Sequence, residues 1–225
     1  RKHFFQGANF TPALREQLGQ MGFLAALGGF RSLVAALLWV EVQYAWERTE
    51  WGRMNALLQA VTTLQPRSIP YWDMAAWHMA WNAATAARND PTQPGEALRI
   101  RAERQYWNIG RDYLERGIQN NPDRAALYER LGVLLRDKYG DHCAAAEAFL
   151  EGAKRADAPS YLPRIAAYEL AKCPGREKEA YNYLQEIFEK SPKNQTPTAK
   201  RILIELEEKL CIPVKSRLIK DSKHE

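Results

Sequence analysis

The sequence carries none of the short motifs that concentrate chemistry. There is no HExxH pair, no glycine-rich phosphate loop and no CxxC, so metalloprotease, nucleotide-loop and dithiol redox mechanisms have no starting point. Cysteines number three and histidines four in 225 residues, too few for a disulfide framework or a Cys/His metal cluster. No metal, cofactor or small-molecule substrate is expected. His78, beside Trp77, could serve as a general base, but no Ser or Cys nucleophile pattern accompanies it and it reads as a structural histidine. Charge of one sign is also missing. The net charge is +5, yet Arg99, Arg101, Arg104, Arg111 and Arg116 alternate with Glu103, Asp112 and Glu115. That is a solvated helix face with ion pairs, not the basic stripe of a nucleic-acid site. An unbroken apolar run is absent too. Met21 to Val40 is interrupted by Gly28, Gly29 and Arg31, whereas a spanning helix needs roughly 20 consecutive apolar residues.

What is present is helical periodicity and tryptophan. Hydrophobic residues make up 46% of the chain and Trp occurs seven times. Thr11-Pro12 is a helix start, with Leu14, Leu18, Met21 and Ala25 at helical spacing and Gly28-Gly29 as the stop. Phe30 to Arg48 is a helix carrying Leu33, Leu37, Trp39 and Tyr44. Its partner runs from Trp51 to Leu64, with Met54 where a small residue is usual.

The stretch from Asn121 to Asp157 reads as two amphipathic helices joined at Gly140-Asp141. Gly132 and Ala145 let the helix backbones approach, and Tyr128, Leu135 and Phe149 fill the space around them. Trp72, Ala76 and Met79 follow Pro66 at the offsets at which Tyr128, Gly132 and Leu135 follow Pro122. Trp107, Gly110, Leu114 and Gly117 then supply a second helix. Between the two halves lies an insertion. Ala83, Ala84, Ala86 and Ala87 extend the first helix, Asn89-Asp90-Pro91 and Pro94-Gly95 turn the chain, and residues 96–104 lead back. Ala166, Ala167, Leu170, Ala180, Leu184 and Ile187 repeat the pattern once more. A last helix starts at Thr196-Pro197, with Ile202, Leu203, Leu206 and Leu210 facing inward and Lys200, Glu205, Glu207, Glu208 and Lys209 facing water.

An aromatic, a Leu-Gly pair, then Ala, a large apolar residue, a small one and Pro, over a period of about 34 residues, resembles the tetratricopeptide repeat. The resemblance covers Phe30 to Pro192. It implies an all-α, right-handed α-solenoid of about four helix pairs with capping helices at both ends, since one such pair cannot bury its own face. The expected organisation is an N-terminal segment and capping helix over 1–29 and an array over 30–192. The array divides into 30–66, 67–122 with a long hairpin insertion at 80–104, 123–158 and 159–192. A C-terminal capping helix over 193–212 and a mobile basic tail over 213–225 follow.

Repeats of this kind bind proteins in a concave groove lined by the first helix of each pair. Transfer of the repeat slots puts Trp39, Gln43 and Trp46, then Asp73, Trp77 and Trp81, then Arg136 on that groove. Four Trp on one face either mark an interaction site or form core beneath a neighbouring element. Trp51 and Trp107, at helix starts, read as structural. The antiparallel stacking of neighbouring repeats also brings Cys143 near Cys173, so the two form either a disulfide or a pair of buried thiols.

The expectation is a non-catalytic scaffold or adaptor for a protein partner. The alternative is a structural subunit permanently buried in a larger complex. The run GGFRSLVA followed by PYWDMAAWHMAWNA resembles repeat proteins of the bacterial cell envelope. That likeness implies a periplasmic, membrane-anchored location through an upstream segment, with a cytoplasmic one as the alternative.

Overall fold

In the computed structural model, residues 16, 19–23, 29–93 and 95–219 are described. The chain is all-helical, 77% helix, with no strand among those residues. Most of the expected capping helix over 11–28 lies outside the described residues; its described piece, 19–23, is helical. The chain divides into two compact units, 1–122 and 123–225.

In the first unit, α1 (Arg31–Glu47) and α2 (Trp51–Leu64) form a helical hairpin. Arg53 of α2 bridges Glu41 of α1 at 2.6 Å and Glu50 at 3.0 Å. The following helix starts with α3 (Ile69–Trp77), whose Pro70 sits in the first turn, where a missing N–H is harmless. It continues without a break through a π-helical segment, His78–Ala83, into α4 (Ala84–Arg88). Asp90 then closes a local turn by accepting hydrogen bonds from the Thr92 N–H and hydroxyl. The long α5 (Glu96–Asn120) runs back along all three segments.

This overlong hairpin is held where small residues meet. A Cβ built on Gly110 would lie 2.7 Å from the Ala80 Cβ and 2.9 Å from the Ala76 carbonyl oxygen. Any side chain there would push the backbones apart. Ala76, Ala80, Ala83, Ala84 and Ala102 are all buried. Trp72, 2% exposed, donates its indole N–H to the Pro66 carbonyl at 2.9 Å. Tyr113 donates its hydroxyl to Asn55, 2.7 Å from Oδ1 and 3.0 Å from the carbonyl, which ties α5 to α2. Burial pushes the Tyr113 phenol well above its usual range. Met54 is fully buried, so the large side chain in a usually small slot serves as core.

In the second unit, α6 (Ala125–Leu134) runs into a second π-helical segment, Leu135–Tyr139, and stops at Gly140, whose φ of +65° suits glycine. Asp141 caps α7 (His142–Ala153) by accepting the Ala144 N–H. Then come α8 (Leu162–Leu170), α9 (Glu177–Lys190) and α10 (Pro197–Lys209), the last capped by Thr196. Each of these helices packs on the next. A Cβ on Gly132 would sit within 2.7 Å of three Phe149 ring atoms, and one on Gly152 within 3.1 Å of Tyr128 and Leu162.

The C-terminal end departs from expectation at one side chain. Glu207 does not face water: it is fully buried. Tyr181 donates its hydroxyl to Glu207 Oε1 at 3.2 Å, and the Leu218 N–H donates to the same oxygen at 2.7 Å. Residues 214–219 are therefore folded onto α10 and not a free tail. Val214–Ser216 forms a 3₁₀ turn, and Leu218 and Ile219 pack on the α9–α10 core. The period of α10 correctly assigns its other faces, but it cannot register a partner that arrives from beyond the helix. Residues 220–225 lie outside the described residues.

Candidate functional site

Three of the tryptophans assigned to a groove come together in the first unit. Trp46 projects from the last turn of α1, Trp77 ends α3 and Trp81 lies in the π-helical segment. With Asn82, Thr85, Ala86 and Asn89 they line an open cleft of about 550 Å³. Trp46 is 40% and Trp77 43% exposed, far above ordinary core values.

The local helix geometry explains the alignment. Trp77, Trp81, Thr85 and Asn89 are four residues apart. In a straight α-helix of 3.6 residues per turn, such a series drifts about 40° per step around the axis. The i→i+5 bonding of the π-helical segment widens the turn and offsets that drift. The four positions therefore stay along one side of the helix, facing Trp46.

His78 lies under the tryptophans, 2% exposed. Its ring centroid is 5.9 Å from that of Trp46 and 5.1 Å from that of Trp77, the latter in an edge-on arrangement. Burial lowers its pKa from 6.5 to about 4, so the imidazole is neutral at physiological pH. The Asn82 amide donates to Nδ1 at 3.0 Å, which leaves the ring proton on Nε2. That nitrogen is buried and has no hydrogen-bond partner among the described residues. No acid or base lines the cleft, so its surface is aromatic and amide-hydroxyl in character and carries no charge.

The other expected groove residues go elsewhere. Trp39 is half-buried and packs its ring 5.2 Å from that of Tyr71. Gln43 and Asp73 are half-buried and do not line the cleft. Arg136 belongs to the second unit, where its Nε lies 2.6 Å from Asp137 Oδ1. That hydrogen bond raises its already high pKa. Asn82, Thr85 and Asn89 were not anticipated by transfer of repeat slots, because the insertion that holds them has no counterpart in the repeat. The four-residue series Trp77, Trp81, Thr85 and Asn89 is visible in the sequence, but on a 3.6-residue wheel it drifts off one face, so it gives no signal without the π-helical segment.

In the second unit, Cys143 and Cys173 form a disulfide with a Cα separation of 5.2 Å. It joins the start of α7 to the chain just beyond α8. Beside it, His142 Nδ1 lies 2.6 Å from Glu169 Oε2, and Lys172 Nζ lies 3.0 Å from Glu169 Oε1. These contacts satisfy a buried carboxylate and bring no nucleophile with them. Among the described residues no group of His, Cys, Asp and Glu could hold a metal ion, and no helix is long and apolar enough to cross a membrane. Comparison with protein-family models, curated proteins and solved structures finds no match to this chain.

Proposed function

We propose that this protein is a non-catalytic interaction scaffold whose helix pairs are tetratricopeptide-like repeats stacked as a right-handed α-solenoid. The reading is supported by small residues at matching repeat positions, Gly110 against Ala76 and Ala80, and Gly132 against Phe149. The observation that carries the function is the cluster of Trp46, Trp77 and Trp81 around an open, uncharged cleft. Large aromatic surfaces left accessible at a concave site are the usual anchors of protein binding. The site has no nucleophile and base pair through which to act on a substrate.

A specific observation favours a second reading, a subunit of a larger assembly. Phe30, Leu33, Leu37, Val40 and Tyr44 are all exposed along α1. Their three- and four-residue spacing is that of a helix-packing seam. Ala35, Leu38, Val42 and Ala45 are buried on the same helix. A helix apolar on both faces is one that a further element covers. The disulfide agrees with an oxidising location such as the periplasmic side of the bacterial envelope.

Affinity capture from the native host, comparing the wild-type chain with the Trp77→Ala/Trp81→Ala variant, tests the first reading. Loss of the captured protein with the fold intact is expected. Undiminished capture by the variant refutes the cleft, and capture in fixed stoichiometry abolished by Leu37→Glu favours the assembly.

A further inference from the structure

Resting on the reading of the cleft as a protein-binding site, we infer that its occupant is an uncharged, proline-rich segment in the extended polyproline conformation. Charge is the first argument. No ionisable side chain lines the cleft, so an anion would lose its hydration and gain no partner, and a cation would meet indoles but no carboxylate to neutralise it. That disfavours a quaternary ammonium group, since no carboxylate stands beside the indoles to complement its charge.

Shape is the second argument. The lining runs from Trp77 to Asn89 along one side of the helix, a length of about 18 Å at a rise of 1.5 Å per residue. A polyproline helix rises about 3.1 Å per residue, so about six residues fit that length. An amphipathic helix needs an apolar groove along its whole contact, but here the half beyond Trp81 is Asn82, Thr85, Ala86 and Asn89, three of the four polar.

Hydrogen bonding is the third argument. Proline residues have carbonyl acceptors and no N–H. The cleft offers what such a chain lacks: the Asn89 side-chain amide, the Thr85 hydroxyl and the second N–H of the Asn82 amide, whose first is held by His78, are donors. The exposed indoles of Trp46 and Trp77 supply ridges against which pyrrolidine rings pack, with half-buried Trp81 between the aromatic and polar halves of the lining. Aromatic-lined grooves are the recurring solution for such segments, because the ligand is already ordered before it binds.

The test uses the full chain and a capped, uncharged nonaproline peptide, with tryptophan fluorescence and calorimetry as readouts. Saturable binding is expected, unchanged between 50 and 500 mM salt and at least tenfold weaker in Trp77→Ala. Thr85→Arg, at an exposed lining position, serves as a second variant that fills the cleft without touching the core, and it too should abolish binding. Circular dichroism checks that both variants fold. Absence of binding, binding indifferent to both variants, or strong salt dependence overturns the proposal. Preferential binding of tetramethylammonium, of a neutral oligosaccharide or of a non-proline amphipathic helix at the same tryptophans also overturns it. Should host-protein capture depend on Trp77 and Trp81 while nonaproline neither binds nor competes, this inference fails and the scaffold reading stands.

Discussion

Replacing Gly110 by Ala sets two physical effects against each other. In a helix interior, Ala is favoured over Gly by about 1 kcal/mol because it loses less backbone entropy. Judged on propensity alone, the variant should be the more stable. The structure gives the opposite sign. The new Cβ would lie 2.7 Å from the Ala80 Cβ, 2.9 Å from the Ala76 oxygen and 3.2 Å from the Ala80 nitrogen. Carbon atoms pack comfortably at about 3.5–4.0 Å, so α5 must back away from the facing helix by nearly an ångström. None of the three atoms belongs to a side chain that can swing aside. Overpacking costs about 1–3 kcal/mol, and against atoms that cannot swing aside the cost falls in the upper part of that range, about 2–3 kcal/mol. The net expectation is a loss of about 1–2 kcal/mol, which for a chain of this size lowers the melting temperature by about 2–8 °C. Thermal denaturation followed by circular dichroism reads it directly. A melting temperature equal to or above wild type would refute the close approach of α5 to the α3 and π-helical segments.

Other consequences are as specific. The disulfide closes a loop between residues 30 apart, so Cys143→Ser/Cys173→Ser should lower stability by about 3–4 kcal/mol; thiol titration of the native chain should find Cys211 alone. His78 has its pKa lowered to about 4 in the folded chain against 6.5 unfolded. Between those values the unfolded state binds more protons, so stability is full above pH 6.5 and declines toward pH 4. The loss is on the order of 2–3 kcal/mol, and denaturant melts of His78→Gln across that range should lack this component. Glu207→Ala should release residues 214–219, seen as faster amide exchange at Leu218, and cost about 1–3 kcal/mol through the groups left unpaired.

Much of the helical order was legible because its causes are local. Gly132 and Phe149, or Gly110 and Ala76, are readable as packing positions before any coordinates exist, although residue type set Gly132 against Ala145 and the structure sets it against the Phe149 ring. The extension through Ala83 to Ala87 and the turn at Asn89-Asp90-Pro91 follow from residue type. What escaped was set by geometry that sequence period does not encode. The π-helical segment rotates Asn82, Thr85 and Asn89 into the cleft, and a 3.6-residue wheel cannot show that. Trp39 and Trp46 sit seven residues apart on one helix, yet one packs on Tyr71 and the other borders the cleft. Glu207 looked solvated because its burial comes from Leu218 and Tyr181, eleven and 26 residues away.

Trp46 and Trp77 stand open to solvent while Trp72 is core. Oxidative footprinting of the isolated full-length chain, with each tryptophan quantified by mass spectrometry, measures this difference. Rapid modification of Trp46 and Trp77 with Trp72 protected is the predicted result. Equal protection of all three would mean that another part of the chain covers the aromatic face, and the cleft would then be core and not a binding site.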